Sequence, residues 1–241
     1  LLNPHLIDMV EYITSNGGRV GITTNATLLT EEKAKGLLEA GAEHFQISFG
    51  AANAETYKKT HLGGNFLATE GNIKNLIRLK EEGGHTKCKV ILHFVREKDN
   101  HDEESEYVAK WQDIADVVSI HQFGDMFSPV AKYHQQYFEV NARQPCQAIW
   151  TNINIHSNGD VVYCCCMDRN ETITNIYKNS YESICRNEFM QRARLQNISG
   201  LFDETVPCKN CDAWITNEKK IEIVDEYYIE TNPIQKTITR L

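Results

Sequence analysis

The chain has 241 residues, long enough to bury a sizeable core in one or two domains, and an ordinary balance of apolar and charged residues for a globular protein. Its net charge of −8 argues on electrostatic grounds against a nucleic-acid partner. No apolar run approaches the ~20 residues of a membrane span, which argues against a membrane partner.

In the first half, helix and strand alternate. Leu6, Met9, Val10 and Ile13 recur at helical spacing, and Gly17-Gly18 ends that helix. A strand follows over 19–24. Thr30 caps the next helix, whose first turn holds Glu31 and Glu32 near the positive end of its dipole. A strand over 44–49 precedes a long helix from about Phe66 to Glu82, with Phe66, Ile73, Leu76 and Ile77 on one stripe. The segment 88–95 is apolar on both faces in its middle, as buried parallel strands are. A helix near 103–115 turns Tyr107, Trp111 and Ile114 inward, and 116–120 is the fourth strand. Strands separated by helices imply βαβ units and a parallel sheet. A helix precedes the first of these strands, so at least one strand is expected upstream of Leu1. The chain starts at Leu1 and not Met, and it reads as a piece of a longer protein.

The second half differs in texture. Residues 122–145 are irregular and read as a linker. A β-hairpin is predicted over 150–163, turning at Asn158-Gly159, a strong type I′ signal. That register sets Ile155 opposite Val162 and Ile153 opposite Cys164. Ile153, Ile155, Val162 and Cys164 then share one apolar face, and Cys165 points to the other. One or two short helices follow over 180–195, with Ile184, Phe189 and Leu195 inward. The acidic stretch 218–230 reads as a solvated helix or strand in a C-terminal tail, 215–241.

Eight cysteines would suit disulfides in a secreted protein, but no signal peptide is visible, and Cys164, Cys165 and Cys166 are consecutive. Consecutive cysteines make a poor disulfide framework. A reducing cytoplasm and metal-bound thiolates fit better. Cys146 and Cys164 bracket the hairpin's open end, and Cys208-Lys209-Asn210-Cys211 returns a C-x-x-C pair. Four such thiolates suit zinc or an iron–sulfur cluster, and spacing alone does not separate the two. Cys165 and Cys166 compete with Cys164 as ligand. Cys88 and Cys185 read as small core residues. His93, on a buried strand, reads as a core histidine. No catalytic side chain is singled out, and no phosphate-binding glycine loop occurs.

Cys146-Gln147-Ala148-Ile149-Trp150, the Asn-Gly-Asp hairpin ending in Tyr163-Cys164-Cys165, and Cys208-x-x-Cys211 resemble a SPASM or "twitch" module of the radical S-adenosylmethionine (SAM) enzymes. Leu2-Asn3-Pro4-His5, Thr23-Thr24-Asn25-Ala26-Thr27, Ile47-Ser48 and Asn100-His101-Asp102-Glu103 are similar to stations along that family's barrel. The resemblance implies an α/β fold: strands three to six of a partial (β/α)6 barrel over 1–121, then a small α+β module with a β-hairpin over 146–214. It implies SAM as cofactor, with Ser48 and Asn25 as contacts, and one auxiliary [4Fe–4S] cluster on Cys146, Cys164, Cys208 and Cys211.

The family's C-x3-C-x2-C loop for the SAM-cleaving [4Fe–4S] cluster is not among these residues and is expected upstream of Leu1. Where relatives carry an arginine for the SAM carboxylate, Lys59 and His61 stand instead. The resemblance implies 5′-deoxyadenosyl radical chemistry of oxidoreductase type in the full-length protein, an electron donor such as ferredoxin or flavodoxin, and a peptide, sugar or lipid-linked substrate. The chain by itself is expected to be inactive. The alternatives are a non-catalytic zinc-ribbon module on a degenerate barrel, and a maturation or scaffold protein with a structural cluster.

Overall fold

The computed structural model describes residues 1–122, 145–165, 167, 172–202, 208, 211, 219–232 and 235–240. The chain divides into two compact units: Leu1–Phe123 with Lys219–Thr231 and Gln235–Leu241, and Gly124–Glu218 with Asn232–Ile234.

The first unit runs α1 (Leu6–Ser15), β1 (Gly21–Thr24), α2 (Glu31–Glu39), β2 (His44–Ser48), α3 (Ala54–Thr60), α4 (Phe66–Glu82), β3 (Lys89–Arg96), a 3-10 turn (His101–Glu103), α5 (Glu104–Trp111) and β4 (Val117–Gln122). The chain comes back to this unit with its last strands, β8 (Lys220–Val224), β9 (Tyr227–Asn232) and β10 (Gln235–Arg240). All seven strands form one sheet in the order β1-β2-β3-β4-β10-β9-β8. The pairs β1–β2, β2–β3 and β3–β4 are parallel, and β10 joins β4 antiparallel. The expected α/β architecture with four parallel strands is therefore present. The acidic stretch read as a solvated helix or strand forms β8 and β9 and extends the sheet, and β8 is exposed along its whole length.

Alternation of side chains across a strand sorts the sheet into two faces. Ile22, Phe45, Ile47, Val90, Leu92, Phe94, Val118, Ile120 and Ile238 are buried against the helices. Leu37, Leu38, Ile73, Leu76, Tyr107 and Trp111 meet them from the helix side. Phe49 anchors an aromatic group there, with its ring centroid 5.3 Å from those of Tyr57 and Phe66 and 5.9 Å from that of Trp111. Ile114, predicted inward, is instead exposed, and of the apolar residues that recur along α1 only Val10 is buried.

Helix α3 was not anticipated from the sequence, because its seven residues carry no apolar stripe. It exists because its start is capped: Asn53 Oδ1 accepts from the N–H groups of Glu55 and Thr56, each at 3.0 Å. The Glu103 carboxylate braces the same point by accepting from Ala52 N–H (2.9 Å), Asn53 Nδ2 (2.7 Å) and the Thr56 hydroxyl.

Asn100 clamps the strand ends. It is buried, its Nδ2 donates to the carbonyls of Gly50 (2.9 Å) and Val95 (2.8 Å), and its Oδ1 accepts from Glu97 N–H (2.6 Å).

The second unit carries α6 (Ala148–Thr151), β5 (Asn154–Ile155), β6 (Asp160–Val162), β7 (Thr174–Asn175), α7 (Tyr181–Cys185) and α8 (Glu188–Ile198), with strand order β5-β6-β7. The hairpin forms, but one residue out of the predicted register: Ile155 faces Val161 and Asn154 faces Val162. The reason is the turn. A type I′ turn needs positive φ at both central residues, yet only Gly159 has it (+86°), and Asn158 does not. Gly159 serves instead as the left-handed residue of a three-residue loop, closed by the bonds His156 N–H to Asp160 O and Gly159 N–H to His156 O, each 2.8 Å. The start of the predicted strand is taken by α6. On α8 the inward residues are Met190, Ala193 and Asn197, whereas Phe189 and Leu195 are exposed.

Asn100→Ala removes three bonds and leaves one buried and one half-buried carbonyl without this donor. It is expected to lower stability by about 2–3 kcal/mol, measured by denaturant unfolding, while far-ultraviolet circular dichroism stays unchanged.

Candidate functional site

The sheet face opposite the helices is mostly polar, with Ile91, Val95 and Val117 as its apolar positions on β3 and β4. Gln46 Oε1 accepts from the Thr23 hydroxyl at 3.2 Å. Ser48 lies beside His93 in the parallel register, and His93 lies beside Ser119. Ser48, His93, Ser119 and Thr237 therefore form one row across β2, β3, β4 and β10. Two residue pairs further along β3 and β4, on the same face, Val95 pairs with His121, and Gln235 faces His121 from β10.

Side-chain hydrogen bonds tie this face together. His93 Nδ1 and His121 Nε2 are 2.8 Å apart, with ring centroids at 4.8 Å. His121 Nε2 is also 3.0 Å from Ser119 Oγ. Gln235 Nε2 donates to Ser119 Oγ (2.8 Å) and Thr237 Oγ1 (3.1 Å). Burial, reinforced by the neighbouring His121, holds His93 down to about 4, and burial lowers His121 as well. Both rings are neutral at neutral pH.

Ser48, a predicted SAM contact, is exposed on this face at the C-terminal end of β2. Asn25, the other, follows β1 in an exposed turn. Its Oδ1 accepts from the Thr27 amide (3.2 Å) and hydroxyl (2.8 Å), which is the turn-capping role open to it on sequence grounds. His61 ends α3 stacked on Tyr57, with centroids 4.3 Å apart. Burial lowers its pKa, opposed by a hydrogen bond to the Ser48 backbone.

The four candidate ligand cysteines lie in the second unit, whereas Cys88 is buried in the core of the first. Cys146 is half-buried, and its N–H donates to Oδ1 of buried Asn197 on α8 at 2.8 Å. Cys164 is half-buried against the cluster of Ile149, Val162, Tyr163, Met167, Met190 and Ala193. Cys165, next to it, is exposed. Cys208 is buried and Cys211 half-buried, with Cys211 N–H donating to Cys208 O at 3.2 Å. The competing ligand Cys166 lies outside the described residues. Among the described residues, no three His, Cys, Asp or Glu side chains stand close enough together to hold a metal ion. The donor chemistry nonetheless fits an iron–sulfur cluster: four soft sulfur donors in one unit, none exposed, one set in an apolar surround.

His121, Ser119, Gln235 and Asn197 went unnoticed in the sequence. Ser119 and His121 were within reach of the alternation rule, being two apart on the polar side of β4. Gln235 and Asn197 depend on tertiary pairing that no local pattern reveals.

Residues 1–111 match the Radical SAM superfamily, and residues 146–212 match the SPASM iron–sulfur cluster-binding domain. Residues 1–111 thus form a radical SAM domain and residues 146–212 a SPASM module. It is 33% identical over 102 residues to the tungsten-containing aldehyde ferredoxin oxidoreductase cofactor-modifying protein of Pyrococcus furiosus, a match covering 42% of this chain and 28% of that protein. It is 40% identical over 57 residues to the AdoMet-dependent heme synthase of Methanosarcina barkeri, covering 24% of this chain and 16% of that protein. The matches thus span well under a third of either curated relative. The fold is similar to that of Streptococcus suis SuiB, crystallised with S-adenosylmethionine (TM-score 0.62, 16% identity, 86% of this chain and 57% of that one).

The depressed His93 has a thermodynamic consequence. Unfolded, it binds a proton near its ordinary 6.5; folded, it resists until about 4. The unfolded state therefore binds more protons between these values, and stability falls as pH is lowered through them. The unfolding midpoint is expected to drop from pH 7 to pH 4.5, and His93→Gln should make that drop shallower.

Proposed function

We propose that this chain forms part of the barrel and the auxiliary-cluster module of a radical SAM enzyme of oxidoreductase type. The observation that carries the reading is the order of its two modules: a radical SAM sheet followed by a SPASM unit that holds all four candidate ligand cysteines. In the whole protein, a reduced [4Fe–4S] cluster with bound SAM supplies a 5′-deoxyadenosyl radical that removes a substrate hydrogen atom.

Ser48 and Asn25, at the ends of β2 and β1, are the SAM contacts from this chain, and the exposure of Ser48 leaves it open to a ligand. Cys146, Cys164, Cys208 and Cys211 hold the auxiliary [4Fe–4S] cluster. Four chain thiolates fill its ligand positions, which suits electron transfer more than substrate ligation. The cluster of Ile149, Met167 and Met190 packs beside Cys164 and covers part of that side chain. The polar sheet face orients the substrate, a peptide, sugar or lipid-linked intermediate. Ferredoxin or flavodoxin is the proposed electron donor, and the cytoplasm the proposed compartment.

Anaerobic reconstitution is expected to load about four irons per chain, with thiolate-to-iron charge-transfer absorption. Alanine at Cys146, Cys164, Cys208 or Cys211 should remove most of the iron. Cys165→Ser should leave it nearly unchanged, because that side chain is exposed. Stoichiometric zinc without iron in anaerobically purified protein would overturn the cluster assignment and favour a zinc ribbon.

Because no C-x3-C-x2-C loop lies within it, this chain alone is expected to form no 5′-deoxyadenosine from SAM under reducing conditions, as followed by chromatography. Product formation by the isolated chain would show that the reductive cleavage runs on other ligands.

A further inference from the structure

The hydrogen-bonded string Gln235–Ser119–His121–His93 crosses three strands and stops at one atom. Gln235 is held at two hydroxyls, Ser119 at both of its neighbours, and His121 Nε2 between Ser119 and His93. His93 Nε2 is buried and has no hydrogen-bond partner among the described residues. A buried ring nitrogen left unpaired is costly, and a string otherwise satisfied along its length makes its open end conspicuous. His93 also stands next to Ser48 in the row of paired residues, one strand further from β1.

We propose that His93 Nε2 hydrogen-bonds an uncharged amide or hydroxyl group of the substrate, with His121, Ser119 and Gln235 as positioning residues that fix the ring. The proposal rests on the radical SAM reading and deepens it. The face argues for an uncharged ligand. Across β1–β4 and β10 its positions are Gly, Thr, His, Gln, Ser, Ile and Val, apart from Lys89 at the start of β3, whose ammonium lies 3.4 Å from Asp116. A carboxylate or ammonium brought beside His93 would be desolvated with no unpaired counter-charge among the described residues of these strands. A neutral imidazole, by contrast, presents a donor or an acceptor according to tautomer, which matches an amide or a hydroxyl. The proton affinity of His93, lowered by burial and by His121, keeps the ring in that neutral form.

The test uses the full-length, cluster-reconstituted protein and saturation-transfer NMR with three probes: N-methylacetamide, methyl glucoside and acetate. A neutral probe is expected to bind and acetate not. An amide response marks a peptide-like substrate, and a glucoside response a sugar-like one. His93→Phe should weaken that binding about tenfold, and His93→Gln, which restores a polar head, should recover it to within about threefold. SAM affinity, measured by equilibrium dialysis, should stay within about twofold in both, since the variants remove no SAM contact. If His93→Phe fails to fold by circular dichroism, His121→Gln serves instead: it unpins the ring and should weaken the probe by about threefold or more. The proposal is overturned if neither neutral probe binds the wild type, if acetate binds as well, or if the folded variants bind the probe unchanged. It is also overturned if SAM affinity falls in parallel, which would move the atom to the SAM side. A wild-type protein that fails to bind SAM would instead sink the radical SAM reading, a separate outcome.

Discussion

The antiparallel pairing of β10 with β4 is the contact on which the first unit depends. Without it, β4 would be an edge strand with a row of unpaired backbone groups. The pairing runs from Gln235–His121 to Thr239–Val117, so it fixes both strands along nearly their whole length. It also places Ile238 in the helix-side core and Gln235 within reach of Ser119. One register therefore serves both faces. A slip by one residue would put Ile238 among the polar groups and Gln235 into the core.

The contrast between those faces explains how the sheet combines stability with a ligand-receptive surface. Burial of Phe45, Ile47, Leu92, Phe94 and Val118 supplies the hydrophobic term on one side. The opposite side carries hydroxyl, amide and imidazole groups that satisfy one another strand to strand. Neighbouring parallel strands sit ~4.8 Å apart, which sets these short side chains at hydrogen-bonding range without help from loops. The loops are braced separately, by Asn100 and Glu103 under the ends of β2 and β3.

Much of the first unit was legible because its signals are local. Phe66–Glu82 is bounded as its stripe predicts, and Thr30 caps α2 through its hydroxyl as its position suggests. The errors arose where tertiary context decides. Asn158-Gly159 promises a two-residue turn, but Asn158 keeps an ordinary φ and the loop takes a third residue. On α8, the large Phe189 and Leu195 look like core residues, yet the smaller Ala193 lies inward with Met190. That the last strands extend the sheet was hidden because Lys220–Val224 mixes charge with isoleucine, and β4, the partner of β10, lies far back in the chain. At the candidate site, the cysteines and Ser48 stood out by motif. His121 did not, because its significance lies in a neighbour from another strand.

The sheet is discontinuous along the chain: four strands come before the cysteine unit and three after it. Ser119 and Gln235 bond across a separation of 116 residues. A chain emerging from the ribosome at roughly 5–20 residues per second thus presents β4 for several seconds before its partner exists. During that interval the exposed edge invites pairing with other nascent chains, and closing so long a loop slows the final step. Any segment inserted between these strands delays the sealing of that edge, so biosynthesis, more than the finished fold, limits how large the intervening unit can grow.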